Sequence, residues 1–239
     1  MLTSSIRPAA PSSVRWLVLV FSSLAMFGNY YVYDSIAPLA DILRTQLGFS
    51  STQIGTLNAI YSAPNIVMVL IGGVLVDRFG ARNATLGFTA VCLVGAVLPA
   101  LSGSFVIMAL GRLIFGLGAE SMIVAVTAAL GHWFKGKQLG FALGINLAIA
   151  RAGSYLADIS PSWAGGAYAA GWRAALFVGV GFGVVSLIGA ALSGPSSVQP
   201  RSDTPSITRR PPSGSSGPIS GASTAPTGTS SASASRSTR

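Results

Sequence analysis

Six stretches of this chain are apolar for about 20 residues, the length a helix needs to cross a hydrocarbon core of roughly 30 Å. They fall at about 14–39, 52–76, 84–101, 105–130, 138–160 and 172–192. In lipid a spanning backbone must satisfy its own hydrogen bonds, so such segments fold as helices. The expected fold class is therefore all-α: a polytopic membrane protein with six transmembrane helices. A short segment, 1–13, precedes the bundle and a tail, 193–239, follows it. Only 9% of the 239 residues are charged, against roughly a quarter in soluble domains. That excludes a water-soluble fold.

The formal net charge is +9. In a soluble protein this excess would suggest nucleic acid. Here the basic residues lie between or after the apolar blocks, where they set membrane orientation instead. Arg7 and Arg15 precede span one, Arg78 and Arg82 follow span two, and Lys135 and Lys137 follow span four. The loops of the opposite side hold only Arg44 and Arg173. Six spans then place both termini in the cytoplasm. The first span is too long for a signal-peptide core, and Tyr30, Tyr31 and Tyr33 are poor cleavage-site residues. The tail is rich in Ser, Thr, Pro and Gly and carries five arginines against Asp203. It buries too little apolar surface to offset its ordering entropy, so disorder is expected. One cysteine, Cys92, and one histidine, His132, exclude a disulfide framework and a Cys/His metal site. No cofactor motif, P-loop or nucleophile motif is present, which argues against an enzyme.

Two stretches combine residues that an apolar helix does not otherwise need. Gly73-Val-Leu-Val-Asp77-Arg78-Phe-Gly80-Ala-Arg82 closes span two. Gly73 is expected to allow close helix approach, Asp77 to cap or pair with a neighbouring helix start, and Gly80 to make a tight turn. Gly111-Arg112-Leu-Ile-Phe115-Gly116-Leu-Gly118 places an arginine deep in span four, where it needs a partner or a wet cavity. The first stretch resembles the loop signature of the major facilitator superfamily, with Ala81 at one of its basic positions. The second resembles that family's span-four motif, and Gly171-Trp172-Arg173 is a third, shorter match. Further likeness lies in Gly28 to Asp34, Tyr61 to Asn65, Gly116 to Ser121, Trp133 to Lys137 and Ala150 to Ser154. As an ordered set over roughly residues 20–192, these are similar to the N-terminal six-span half of the lysosomal dipeptide uniporter branch and its microbial relatives.

Away from the extreme ends of the spans, four charges stand out: Asp34, Arg112, Glu120 and Arg151. At 1.5 Å per residue, Glu120 and Arg151 both fall near mid-membrane, where transporter sites occur. Arg151 can take a carboxylate through a bidentate fork and Glu120 an ammonium. The resemblance implies that this pair binds the two ends of a dipeptide. The alternative is a Glu120–Arg151 salt bridge that only ties two spans together. Asp34 and Arg112 lie at similar depth and are expected to pair, as a gate or as a static structural contact. Tyr30, Tyr33, Tyr61 and Asn65 are expected to line the cavity, although an interfacial belt accounts for the tyrosines of span one equally well. Pro64 should kink span two.

The resemblance implies transport of a dipeptide or a similar small zwitterion. A small organic anion is the alternative substrate, because Arg112 and Arg151 are both cationic. Six spans equal one half of the family fold. The chain is therefore expected to be a truncated or frame-shifted half, to meet a second six-span half, or to pair with itself. An inactive remnant or a non-transporting interaction protein is the reading from another class. The partners expected are the bilayer and a small-molecule substrate, and the compartment a bacterial inner membrane.

Overall fold

A computed structural model describes residues 12–134 and 138–193. The expected disorder of the tail and the roles of Arg7, Lys135 and Lys137 lie outside these residues. All regular structure among the described residues is helical. The helices are α1 (Ser12–Asp34), α2 (Ala40–Leu47), α3 (Ser51–Ala59), α4 (Asn65–Phe79), α5 (Ala81–Leu101), α6 (Phe105–Trp133), α7 (Leu139–Asp158), α8 (Ser160–Trp163), α9 (Gly165–Ala170) and α10 (Trp172–Leu192). Six stretches are long and apolar enough to cross a membrane: Ser13–Leu47, Ser51–Phe79, Ala81–Leu101, Phe105–Trp133, Leu139–Asp158 and Trp172–Leu192.

Two spans are interrupted. Helix α1 stops at Asp34, and a 3₁₀ turn, Ala37–Leu39, leads into α2. Asp34 thus ends a helix rather than sitting inside one. The second span breaks into α3 and α4 around the 3₁₀ turn Ile60–Ser62. Pro64 precedes α4 and cannot donate to the turn before it, so the helix restarts after it. Helix α3 opens with a capping box, in which Ser50 and Gln53 satisfy each other's backbone amides.

Helix α6 packs most closely on α5, and α1 lies between α7 and α10. Small residues set these approaches. A Cβ on Gly118 would meet the Phe88 carbonyl of α5 at 2.6 Å, and one on Gly116 would strike the Tyr61 carbonyl at the break in the second span. Gly153 of α7 gives the same room to the Phe27 carbonyl of α1. Polar contacts add to this packing: Asn146 donates to Ser23 Oγ at 3.1 Å, and Ser186 to the Ala25 carbonyl at 2.6 Å. Helix α4 is largely uncovered.

The expectation for Gly73 changes. Gly73 faces open space, and its neighbour Gly72 is the close approach, with a Cβ there 3.1 Å from Ser121. In span five Gly140 and Gly144 are also open, and Gly153 is the glycine of these three that tightens the packing. His132 belongs to the last turn of α6 and stacks edge-on with Trp133 at 6.1 Å.

The loop motif between α4 and α5 has a clear geometry. Gly80 has φ +80° and serves at once as C-cap of α4 and N-cap of α5, a conformation that favours glycine. Arg82 Nη2 donates to the Ala191 carbonyl at 3.2 Å, tying the start of α5 to the end of α10. A cation suits that helix C-terminus. Arg78 lies over the Phe79 ring at 5.7 Å. Asp77 is exposed and caps neither α5 nor α7, both of which begin without a side-chain cap.

Candidate functional site

Arg112 is 2% exposed, and its donors go to backbone carbonyls. Nε reaches Leu57 at 3.2 Å, Nη1 reaches Val32 at 2.9 Å and Nη2 reaches Tyr33 at 2.6 Å. The last four carbonyls of any helix lack intrahelical partners. Val32 and Tyr33 belong to that set in α1, and Leu57 to that set in α3. Arg112 is therefore a shared C-cap for two interrupted helices, placed where both helix dipoles favour a cation. The guanidinium also lies 4.9 Å from the Tyr61 ring and 5.4 Å from that of Phe115. The expected ion pair with Asp34 does not form. Asp34 acts on Arg112 only through the field. A crevice lined by Ser35, Pro99 and Arg112 adjoins this clamp and does not include Glu120 or Arg151.

Glu120 and Arg151 differ from Arg112. Glu120 lies near the middle of α6, roughly 20 Å from either end at 1.5 Å per residue. It is 7% exposed. Arg151 is exposed on α7, on an open face with Leu147, Ala148, Ala152 and Tyr155. Neither charge has a hydrogen-bond or ion-pair partner among the described residues, so the purely structural Glu120–Arg151 salt bridge is absent. Arg151 rests instead on the Tyr30 ring, Cζ to centroid 5.3 Å.

The tyrosines connect the two arginines. Tyr30 stacks on Tyr33 at 5.6 Å, and Tyr33 meets Tyr61 at 4.0 Å. Arg151, Tyr30, Tyr33, Tyr61 and Arg112 thus form one continuous run of cation–π and ring contacts. Tyr30 lies within electrostatic reach of Arg151, Glu120 and Asp34 together. Tyr31, one residue on, faces the other way and stacks on Phe182 of α10 at 3.8 Å. Asn65 is exposed in the first turn of α4. The structure therefore brings Tyr30, Tyr33, Tyr61, Glu120 and Arg151 to one region.

Two contributors carry no obvious signal in the sequence. The carbonyl acceptors of Arg112 are backbone atoms, and only Pro38 and Pro64 hint that helices end nearby. Gln46 is the other. Its Oε1 accepts from the Trp172 amide at 3.1 Å and packs 3.0 Å from where a Cβ on Gly171 would lie. Gly171 has φ +114°, so α10 starts from a glycine with no side chain to cap it, and Gln46 supplies the cap from α2. On the same side, Ser160 and Tyr168 share a hydrogen bond between hydroxyls. Burial pushes the Tyr168 phenol up from its ordinary value.

Apolar spans, two of them broken, around unpaired opposite charges at mid-depth are the build of a membrane transporter. Residues 21–233 match the family model of the Major Facilitator Superfamily, and the chain belongs to that family. It is 40% identical over 144 residues to the lysosomal dipeptide transporter MFSD1 of Danio rerio, covering 59% of this chain and 31% of that protein. It is 38% identical over 162 residues to the protein of the same name in Homo sapiens, covering 62% and 35%. The probable sulfoacetate transporter SauU of Cupriavidus necator is 29% identical over 173 residues, covering 72% and 39%. The chain spans roughly a third of the length of these curated relatives.

Proposed function

We propose that this chain forms one wall of a transport site for dipeptides or similar small zwitterions, with Arg151 taking the carboxylate and Glu120 the ammonium. The observation that carries the reading is that these two opposite charges near mid-membrane are unpaired among the described residues and both lie within electrostatic reach of Tyr30. A buried charge without a partner is expensive in a membrane, so it is retained where a ligand or water supplies one. Tyr33, Tyr61 and Asn65 line the approach in this reading. The similarity to proteins named as dipeptide transporters supports it.

The facing wall comes from a second six-span body. The helix ends that carry Arg15, Arg78 and Arg82 lie on the cytoplasmic side in this reading, by the excess of basic residues there. In this reading the membrane is a bacterial inner membrane and the chain carries no catalysis.

The test is equilibrium binding of a labelled dipeptide to the purified full chain in nanodiscs. Glu120→Gln and Arg151→Gln are each expected to weaken binding about tenfold or more, because each removes one charge-assisted contact. Unlabelled sulfoacetate is the competitor for the organic-anion alternative, and it is expected to compete poorly. Folded chain that binds no dipeptide would overturn the reading, and strong competition by sulfoacetate would replace it with the anion.

A further inference from the structure

The arrangement of Glu120 and Arg151 raises a physical difficulty. Opposite charges in a low-dielectric region attract strongly. No ion pair forms between Glu120 and Arg151 among the described residues, although both lie within electrostatic reach of Tyr30. Something holds them apart. The helices themselves contribute, since α6 and α7 touch only sparsely while α1 packs along α7. At the depth of the charges, α1 presents Tyr30. The Arg151 guanidinium lies over its ring at 5.3 Å, and Tyr30 is within electrostatic reach of Glu120.

We propose that Tyr30 is a positioning residue, whose ring seats Arg151 and keeps it off Glu120, so that both charges stay open to a zwitterion. The proposal rests on the substrate reading above and extends it to the unliganded state. A tyrosine ring suits the task for a geometric reason. A guanidinium stacked on an aromatic face keeps its N–H donors at the edge, free to take a carboxylate in a bidentate fork. A carboxylate in the same seat would consume those donors. Tyr33 backs the ring at 5.6 Å, nearly parallel at 20°, and is itself held against Tyr61. The seat is thus part of the tyrosine run that ends on the Arg112 clamp.

The experiment reads the Glu120 carboxyl directly. The purified full chain in nanodiscs is treated with dicyclohexylcarbodiimide at fixed pH, and adduct formation is followed by mass spectrometry. Glu120→Gln identifies the adduct that belongs to Glu120. An unpaired carboxyl in an apolar setting reacts, whereas one locked to a guanidinium is protected. Wild type and Tyr30→Phe, which keeps the ring, are expected to label at similar rates. Tyr30→Ala is expected to label about tenfold more slowly, as a newly formed pair worth one decade of equilibrium constant would give. The double variant Tyr30→Ala/Arg151→Gln is expected to recover the wild-type rate, which a general loss of structure would not allow. If Tyr30→Ala does not fold, Tyr30→Leu keeps the bulk without the π face and decides the same question.

Wild-type labelling in a folded variant that lacks the ring would overturn the proposal. So would slow labelling that Arg151→Gln fails to restore. The substrate reading is separated by a second arm in which alanylalanine is added to wild type. Slower labelling supports both. The full Tyr30 pattern with no effect of the dipeptide keeps the positioning role and removes the dipeptide.

Discussion

Replacing Arg112 with methionine is expected to destabilise the bundle by about 2 kcal/mol. Three carbonyls lose a charged donor, but that of Val32 still accepts from Ser35 Oγ at 2.8 Å, which leaves those of Leu57 and Tyr33 to count. Leaving a buried acceptor unpaired costs about 1–3 kcal/mol in water-soluble proteins, but interhelical hydrogen bonds in membranes average nearer 0.6 kcal/mol. About 1 kcal/mol each is a fair middle value between those two scales. The ring contacts with Tyr61 and Phe115 add up to about 1 kcal/mol. Relief from burying a charge offsets a similar amount. The net should lower the melting temperature by roughly 4–8 °C for a chain of this size. Lysine at 112 restores the charge but not the fork, and should recover less than half. Asp34→Asn separates a carbonyl clamp from an ion pair. Because Asp34 makes no direct contact with Arg112, its loss should cost less than about 1 kcal/mol. The assay is thermal unfolding of the detergent-purified chain, scored by the folded fraction on size exclusion. A methionine variant within 2 °C of wild type would refute the clamp. An Asp34→Asn loss equal to that of the arginine would show that the two residues pair after all.

Gly116→Ala should cost about 1–3 kcal/mol, because its Cβ runs into the Tyr61 carbonyl at the break. Gly144→Ala meets nothing and should be neutral or stabilise by up to about 1 kcal/mol through helix propensity, and parallel melts compare the two. Gln46→Ala removes the cap of α10 and should cost about 1 kcal/mol, with faster hydrogen exchange at the Trp172 amide as the local readout. Asn29 is 1% exposed, and neither its oxygen nor its nitrogen has a partner. Asn29→Leu should therefore raise stability by about 1 kcal/mol or more in the same melts, and a loss would show that a bound group uses the amide.

The six spans are legible in the sequence because bilayer thickness dictates their length and an unpaired backbone cannot enter lipid. The faces of those spans are less legible. Gly72 and Gly73 are adjacent glycines in a helix that is apolar all round, and a single residue turns the face by about 100°. Nothing in that stretch tells which glycine meets α6. The tyrosines are a more readable case. Tyr30 and Tyr33 are three apart and share a face, while Tyr31 points to α10. Their common face follows from spacing, but the Arg151 seat depends on how α7 lies against α1, which spacing does not state.

Arg112 and Arg151 show where side-chain reasoning stops. Both are arginines within apolar spans, and both were expected to seek an acid or a substrate. Their fates diverge because of the backbone around them. Arg112 stands where α1 and α3 both end, so orphan carbonyls consume its donors before any carboxylate or ligand can. Arg151 stands beside unbroken helices whose carbonyls are already paired, and only a ring face receives it. The difference has a consequence for substrate. A site with two free guanidiniums would favour a dianion or a strongly acidic solute. With Arg112 spent, Arg151 is the mid-depth guanidinium among the described residues left to face Glu120, and Asp34, also without an ion-pair partner, adds negative charge within reach of Tyr30. In the proposed reading that setting suits a zwitterion and opposes a pure anion.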